Sequence, residues 1–124
     1  MAMTTTWANV LVVQQAPAQG GAASGSVTST LTRAVRVADV QGFVRTVTGG
    51  GANKMTLLVK KGASAITDVM VQATNNTVNE VVRAATIDDA FTSIAVGETI
   101  VSTCGRDGGA GTAGVAVVNV TCMG

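Results

Sequence analysis

NKMTLLVKK, residues 53–61, is the stretch that most clearly decides the fold class of this chain. Met55, Leu57 and Val59 fall on one face of an extended backbone, and polar side chains fill most of the other face. Only Leu58 interrupts this alternation. Side chains of a β-strand point alternately to its two faces, so an apolar residue at every second position predicts a strand with one buried face.

A second strand is predicted in GVAVVNVTC, residues 114–122, where both faces are largely apolar and cover on both sides is expected. One of its faces carries Ala116, Val118, Val120 and Cys122. Weaker alternating segments, separated by glycine or Asn and Asp clusters, lie at 26–33, 34–40, 43–48, 66–72, 78–86 and 98–104. We therefore predict an all-β, antiparallel β-sandwich of about eight strands, similar to a jelly roll.

Composition and turn residues agree with this fold class. Val (21 residues) and Thr (18) are abundant, whereas the helix formers Leu (4), Glu (2) and Lys (3) are scarce. Turns between antiparallel strands are predicted at Lys61-Gly62, at the Gly49–51 run, at Asn75-Asn76 and at residues 107–109. IDDAF, residues 87–91, is too short for a stable helix and is interpreted as a connector.

Residues 1–25 are predicted to form a flexible N-terminal arm and linker ahead of a single β-sandwich domain at 26–124. Within the arm, QAPAQGGAASGS consists of small and flexible residues and contains the only proline, Pro17. The apolar run WANVLVVQ at 7–14 precedes it, and this run has an alternative interpretation as the first strand of the domain. The sequence leaves both open.

Charge restricts the partners of the chain. The formal net charge is +1, and the eight Lys or Arg residues form no basic stripe, so nucleic acid is not expected as a partner. Charged residues make up 12% of the chain, which is about half the usual share. We expect part of the surface to be covered by other subunits, the alternative being a monomer coated with Thr, Ser, Asn and Gly. Neither an export signal nor a membrane-spanning segment is visible.

The sequence argues against catalysis and against cofactors. It contains no His and no Tyr, which removes the commonest general base and a further acid or base. The seven Asp and Glu residues are scattered along the chain, and no metal or cofactor is expected. Cys104 and Cys122 are interpreted as two packed, reduced thiols, with a disulfide as the alternative. We predict a non-enzymatic protein.

A function in binding protein surfaces is the remaining interpretation, and six residues are candidates for protein contacts. Trp7 is the only tryptophan, and its large ring could anchor in a pocket of a partner or cover the core of its own domain. The basic candidates, interpreted as contacts at the rim of an interface, are Arg33, Arg36, Lys60, Lys61 and Arg106.

Three segments resemble the small virion structural proteins of tailed bacteriophages, in particular capsid decoration, or cement, proteins. They are GGGANKMTLLVKKG at 49–62, IDDAFTSIAVGETIVSTCG at 87–105 and GGAGTAGVAVVNVT at 108–121. The shared features are richness in Thr, Val, Ala and Gly, a Gly-Ala-Asn turn before a strand, an Ala-Val-Gly-Glu turn and a glycine-rich loop before the last strand. The resemblance covers about 49–122 and assigns no role to individual residues.

This resemblance implies a structural protein that binds the outer capsid surface and cements neighbouring major capsid subunits. The implied partners are the major capsid protein and further copies of the chain, a trimer being favoured over a dimer. The implied location is the capsid surface of the virion, after synthesis in the host cytoplasm. One alternative is a tail or head-fibre component. Another is a β-sandwich that binds a ligand or carbohydrate, for which aromatic residues are scarce.

Overall fold

Ten β-strands in two antiparallel sheets make up most of the computed structural model, which describes residues 10–18, 24–48, 54–71, 80–83, 86–107 and 112–124. In chain order the strands are β1 (Val10–Gln15), β2 (Gly25–Thr30), β3 (Val35–Thr48), β4 (Lys54–Lys61), β5 (Ser64–Ala65), β6 (Met70–Val71), β7 (Val81–Arg83), β8 (Ser93–Ile94), β9 (Thr99–Asp107) and β10 (Thr112–Met123). A turn of 3-10 helix, Asp89–Phe91, precedes β8. It confirms the prediction of a short connector there.

The strand order is that of a jelly roll. The first sheet runs β1-β10-β3, with both β7 and β8 paired to β3, and the second runs β2-β9-β4, with both β5 and β6 paired to β4. Because β5 shares a strand position with β6, and β7 with β8, the ten strands occupy eight positions. The first sheet then holds positions one, eight, three and six, as a jelly roll requires. The predicted antiparallel, jelly-roll-like sandwich is confirmed.

The core lies between the two sheets and matches the alternation read from the sequence. Met55, Leu57 and Val59 of β4 are at most 1% exposed. Four residues of β10, each fully buried, face them from the other sheet: Ala116, Val118, Val120 and Cys122. The opposite face of β10, from Val115 to Thr121, is half-buried rather than fully covered. Packing of two apolar faces in this way accounts for most of the stability that such a domain can have.

Strand β3 corrects the prediction of two separate strands at 34–40 and 43–48. It is continuous, and the change of register along β10 leaves Ala38 as an extra residue, which is a β-bulge. The bulge changes the phase of the alternation, so that Val37 and Val40 both face the core although they are three residues apart. A prediction that requires an apolar residue at every second position therefore divides this one strand into two.

Other boundaries also differ from the predicted ones. The predicted strand at 66–72 is observed only as the two residues of β6, and β5 lies just before it, because the chain leaves β4 between them to form a bridge from Thr67 to Ile87. The short β8 was not predicted. Gly62 and Gly97 have φ values of 57° and 88°, which confirms the turn at Lys61-Gly62. The predicted turns at 49–51, 75–76 and 108–109 lie outside the described residues.

The first strand corresponds to the alternative that the sequence left open for residues 7–14. Val10–Gln15 pair with β10 along six residues, so this part of the predicted arm belongs to the first sheet. Gln15 is 2% exposed and crosses to the second sheet, where its amide nitrogen donates to the carbonyl oxygen of Ile100 at 2.9 Å and to Ser29 at 3.0 Å. Its side-chain oxygen accepts a hydrogen bond from Ser102. Whether residues 1–25 as a whole behave as a separable arm stays a prediction.

Cys104 and Cys122 are buried and free, which confirms the prediction of two packed thiols. They lie in different sheets, since Cys104 pairs with Leu57 of β4 and Cys122 with Leu11 of β1. Burial raises the pKa of the Cys122 thiol, and the nearby positive charge of Arg33 opposes that shift. The part of the chain that the structure describes has no helix long and apolar enough to cross a membrane.

Candidate contact surfaces

Three of the predicted contact residues come together at one end of the sandwich, around a groove of about 520 Å³. The groove forms where the start of β3, the end of β4 and the end of β10 meet β8 and the turn before β9. Arg36 and Lys61 line it, and Arg33 lies in the exposed bend directly before β3. We call this surface, with Val96 and Met123 beside the charges, the basic end.

Lys61 is fixed at the groove by two partners. Its ammonium group donates to the carbonyl oxygen of Ser93 at 2.9 Å and forms an ion pair with Glu98 at 3.3 Å. The hydrogen bond from the backbone nitrogen of Ala95, at 2.7 Å, and the charge of Lys61 hold the pKa of Glu98 below its usual value. Lys61, Arg36 and the neighbouring Arg33 are three basic side chains against the one side-chain carboxylate of Glu98, so the side chains of the basic end carry an excess of positive charge.

Apolar side chains stand beside these charges. Met123, opposite Arg36 in the sheet, is 52% exposed, and Val96, in the turn before Glu98, is 65% exposed. Large apolar side chains that are exposed next to charged groups are common at surfaces that bind another protein. The basic end combines both features.

A second charged surface lies on the neighbouring side of the sandwich, and we call it the acidic flank. Asp68 and Asp88 line a depression of about 380 Å³ between the β5–β6 connection and the 3-10 turn, and Asp89 is exposed beside it. Val69 and Val71, which follow Asp68 in the chain, are 53% and 45% exposed. The acidic flank thus has the apolar character of the basic end and the opposite charge.

Local hydrogen bonds hold the backbone of the acidic flank. A carboxylate oxygen of Asp68 accepts from the backbone nitrogen of Thr86 at 3.1 Å, and one of Asp88 accepts from Ala90 at 3.0 Å. The Asp68–Thr86 bond and the Thr67–Ile87 bridge connect the two sides of the depression, whereas the Asp88–Ala90 bond caps the 3-10 turn.

The outer strand β1 is a third candidate surface. It pairs with β10 on one side only, among the described residues, so its other edge presents backbone donors and acceptors. Val10 and Val12 are 42% and 54% exposed, and VLVVQQ contains no charge and no proline. Natural sheets usually protect an exposed edge of this length with charged residues or proline. β1 is therefore suited to accept another strand.

The outer face of the first sheet is more polar. The Gln14 side chain donates to the side-chain oxygen of Asn119 at 3.0 Å, and Arg83 forms an exposed ion pair with Asp39 at 3.3 Å. Phe43 lies half-buried in a depression of about 310 Å³ that Gln14, Arg45 and Asn119 also line. An exposed ion pair of this kind contributes about 0–1 kcal/mol to stability. Polar groups occupy the middle of this face, and its exposed large apolar side chains lie toward the edges, with Val10 and Val12 on β1 and Val81 on β7.

The remaining predicted contact residues do not join the basic end. Lys60 is half-buried on the outer face of the second sheet, opposite Ala65 of β5. The backbone of Arg106 pairs with Met55 in the second sheet, and its side chain lies outside the described part of the chain. Trp7 also lies outside the described residues. For all six residues, the contact with a partner stays a prediction.

The sequence did not predict that Asp68, Asp88 and Asp89 share one surface. Asp68 is distant in sequence from the other two, and the bridge that brings them together cannot be seen in the sequence. The signal that could have indicated β1 was present. VLVV at 10–13 has the β-branched residues of a strand, and two glutamines rather than charged residues follow it. The described residues hold no group of three His, Cys, Asp or Glu side chains arranged to bind a metal.

Comparison with solved structures shows chains of the same fold. A chain of the cyanophage Pam1 capsid asymmetric unit matches with a TM-score of 0.58 and 19% identity, over 93% of this chain and 84% of that one. The Yersinia pseudotuberculosis-derived mitogen matches with a TM-score of 0.50 and 10% identity, over 89% and 85%. A chain from the capsid of Ralstonia phage GP4 gives 0.44 and 20%, over 91% and 84%. No protein-family model matches the chain, and no curated protein matches its sequence.

At these identities, the Pam1 and mitogen matches support a shared fold and no more than that. The fold occurs in a phage capsid and also in a bacterial mitogen, so it does not determine one function. Function has to be argued from the surfaces of this chain.

Proposed function

We propose that this chain is a structural protein of a phage virion that binds the outer surface of the capsid and cements neighbouring major capsid subunits. The observation that carries the proposal is the likeness of the jelly roll, over 93% of the chain, to a chain of the Pam1 capsid asymmetric unit. The role is non-enzymatic. Several copies of the chain act together, three rather than two, so that weak contacts are repeated on a symmetric shell.

The β1 edge is the surface through which the chain attaches to the shell. An extended segment of a capsid subunit adds to β1 as a further strand, with main-chain hydrogen bonds for affinity and side-chain contacts for specificity. Val10 and Val12, 42% and 54% exposed, lose water on attachment. This mode suits a chain that has few aromatic residues for anchoring, since the backbone supplies the bonds.

Electron microscopy of purified particles tests the location. We expect density for this protein on the outer capsid surface, between neighbouring subunits. Density confined to the tail, to a fibre or to a vertex would contradict the cementing role.

Co-sedimentation with undecorated shells tests the attachment surface. Val12→Lys places a charge on the β1 edge, where it opposes strand addition, and we expect it to weaken binding. The matched control is Val81→Lys, because Val81 lies on the opposite edge strand of the same sheet and is 47% exposed. Equal binding of both variants and the wild type would exclude the β1 edge.

A further inference from the structure

We infer that the basic end of one copy binds the acidic flank of another copy of the same chain. The inference names the surfaces of the self-association in the proposed function, but it can be tested without a capsid. Each surface combines an excess of one charge with two large exposed apolar side chains. The two surfaces are therefore complementary in charge and alike in apolar character.

The charges are distributed so that each surface repels a copy of itself. Arg33, Arg36 and Lys61 stand at the basic end against the carboxylate of Glu98. Neither the 65–71 segment nor the 86–91 segment of the acidic flank contains a Lys or Arg. Lys60 of β4 lies opposite Ala65 of β5, so the strand register places this basic residue beside the flank. Complementary charges steer two proteins together and disfavour the like-charged arrangement.

Apolar side chains would supply the area that charges alone do not. Val96 and Met123 project at the basic end, and Val69 and Val71 at the acidic flank, with exposed fractions from 45% to 65%. Four of the seven large apolar residues that are exposed among the described residues belong to these two surfaces. Bringing them together removes them from water at roughly 25 cal/mol for each Å² of apolar surface.

The connection between the surfaces also fits an interface between copies. The β4–β5 hairpin leads from Lys61 to the acidic flank, and the 3-10 turn at Asp89–Phe91 leads back to Ser93 at the basic end. Each copy thus presents both surfaces on neighbouring sides. Reciprocal pairing of such surfaces closes a two-fold pair, whereas head-to-tail pairing closes a ring, as the three copies of the proposed function require.

Charge reversal tests the inference in solution, without shells. We expect light scattering to show association of the wild type, and Arg36→Glu or Asp89→Lys alone to weaken it at least about tenfold. The double variant, Arg36→Glu with Asp89→Lys, should recover association because the opposite charges face each other again. Arg83→Glu is the matched control, since Arg83 is exposed on the outer face of the first sheet, and it should associate like the wild type.

A second variant tests the apolar part and guards against folding effects. Val96→Ser removes apolar surface from a side chain that is 65% exposed without changing the charge of the basic end, so it should weaken association without lowering the melting temperature. A wild type that stays monomeric at every concentration, single variants that associate normally, or a double variant that does not recover would overturn the inference. None of these outcomes depends on shell binding, so failure here is distinct from failure of the proposed function.

Discussion

Gly42 lies in β3 directly against Leu57 of the facing sheet. A Cβ atom there would overlap the Cδ1 atom of Leu57, which is 1% exposed and cannot turn toward solvent. Glycine is needed at this position for space, because the residue keeps the register of a strand and is not in a turn. Close packing of protein interiors makes even one added carbon atom costly.

We expect Gly42→Ala to lower the free energy of unfolding by about 1–3 kcal/mol, through overpacking. Gly105→Ala is the control, because its Cβ would meet only the side-chain oxygens of Ser24 and Thr56, at 3.0 and 3.2 Å. Chemical denaturation of both variants measures the difference. Adding Leu57→Val to Gly42→Ala removes the colliding methyl group, and a smaller cost of Gly42→Ala in that background would identify the collision as the cause.

Gln15 is the polar residue that joins the two sheets through the core. Gln15→Leu keeps a similar volume but leaves the Ser102 hydroxyl and the Ile100 carbonyl without this partner. We expect a loss of about 1–3 kcal/mol, the usual cost of unsatisfied buried groups. The adjacent residue gives the control, because the Gln14 amide bonds Asn119 on the exposed face. A Gln14→Leu variant as unstable as Gln15→Leu in denaturant would contradict this account.

At the scale of elements, the sequence predicted strands where one face is apolar and failed where tertiary structure changes the pattern. The strands β4 and β10 follow strict alternation and were predicted with their buried residues. The bulge at Ala38 and the two-residue strands β5, β6 and β8 are set by pairing with distant strands of the same sheet, which no local pattern encodes. The basic end was predicted only as separate residues, because Arg36 and Lys61 meet through the packing of two sheets.

The β1 strand should contribute to stability and not only to attachment. Removing residues 1–18 takes away the ladder with β10 and the bonds of Gln15, and we expect a marked fall in the melting temperature, by about 4 °C for each kcal/mol lost. Removing residues 1–9 is the control, because it keeps β1. If the chain without residues 1–18 has the same melting temperature as the wild type, a separable arm is supported instead.

The turn from Ala95 to Glu98 should make a small, pH-dependent contribution to stability. Because the fold lowers the pKa of Glu98 from 4.5, its stabilising effect is complete above that value and is lost as pH falls through the lower folded pKa. We expect Glu98→Gln to melt at a lower temperature than the wild type at about pH 7, and the gap to close at about pH 2. A gap that is equal at both pH values would show that the charge is not responsible.

The whole molecule separates its surfaces by direction. The β1 edge lies at one side of the first sheet, and β7 and β8 lie at the other, beyond β3. The acidic flank lies at the β5–β6 connection and the 3-10 turn, whereas the basic end also includes Met123 of β10, which pairs with Val10 of β1. The free edge of β1 is the one turned away from β10, so one copy can offer this edge to the shell while its charged surfaces contact other copies. This arrangement is compatible with the proposed cementing role, in which each copy reaches both the shell and its neighbours.

Self-association should then strengthen attachment to the shell without changing the attachment surface. Linked copies bind repeated sites on a symmetric shell at a high effective concentration, which can raise the overall affinity by about 10²–10⁴. We expect Asp89→Lys, which leaves β1 intact, to bind undecorated shells at least about a hundredfold more weakly than the wild type. The double variant, Arg36→Glu with Asp89→Lys, should recover most of the affinity, whereas Val12→Lys should bind shells weakly even when it self-associates normally.

Co-sedimentation over a range of protein concentrations measures the shell binding of all four proteins. If the non-associating Asp89→Lys variant binds shells as tightly as the wild type, each copy attaches on its own and avidity makes no contribution.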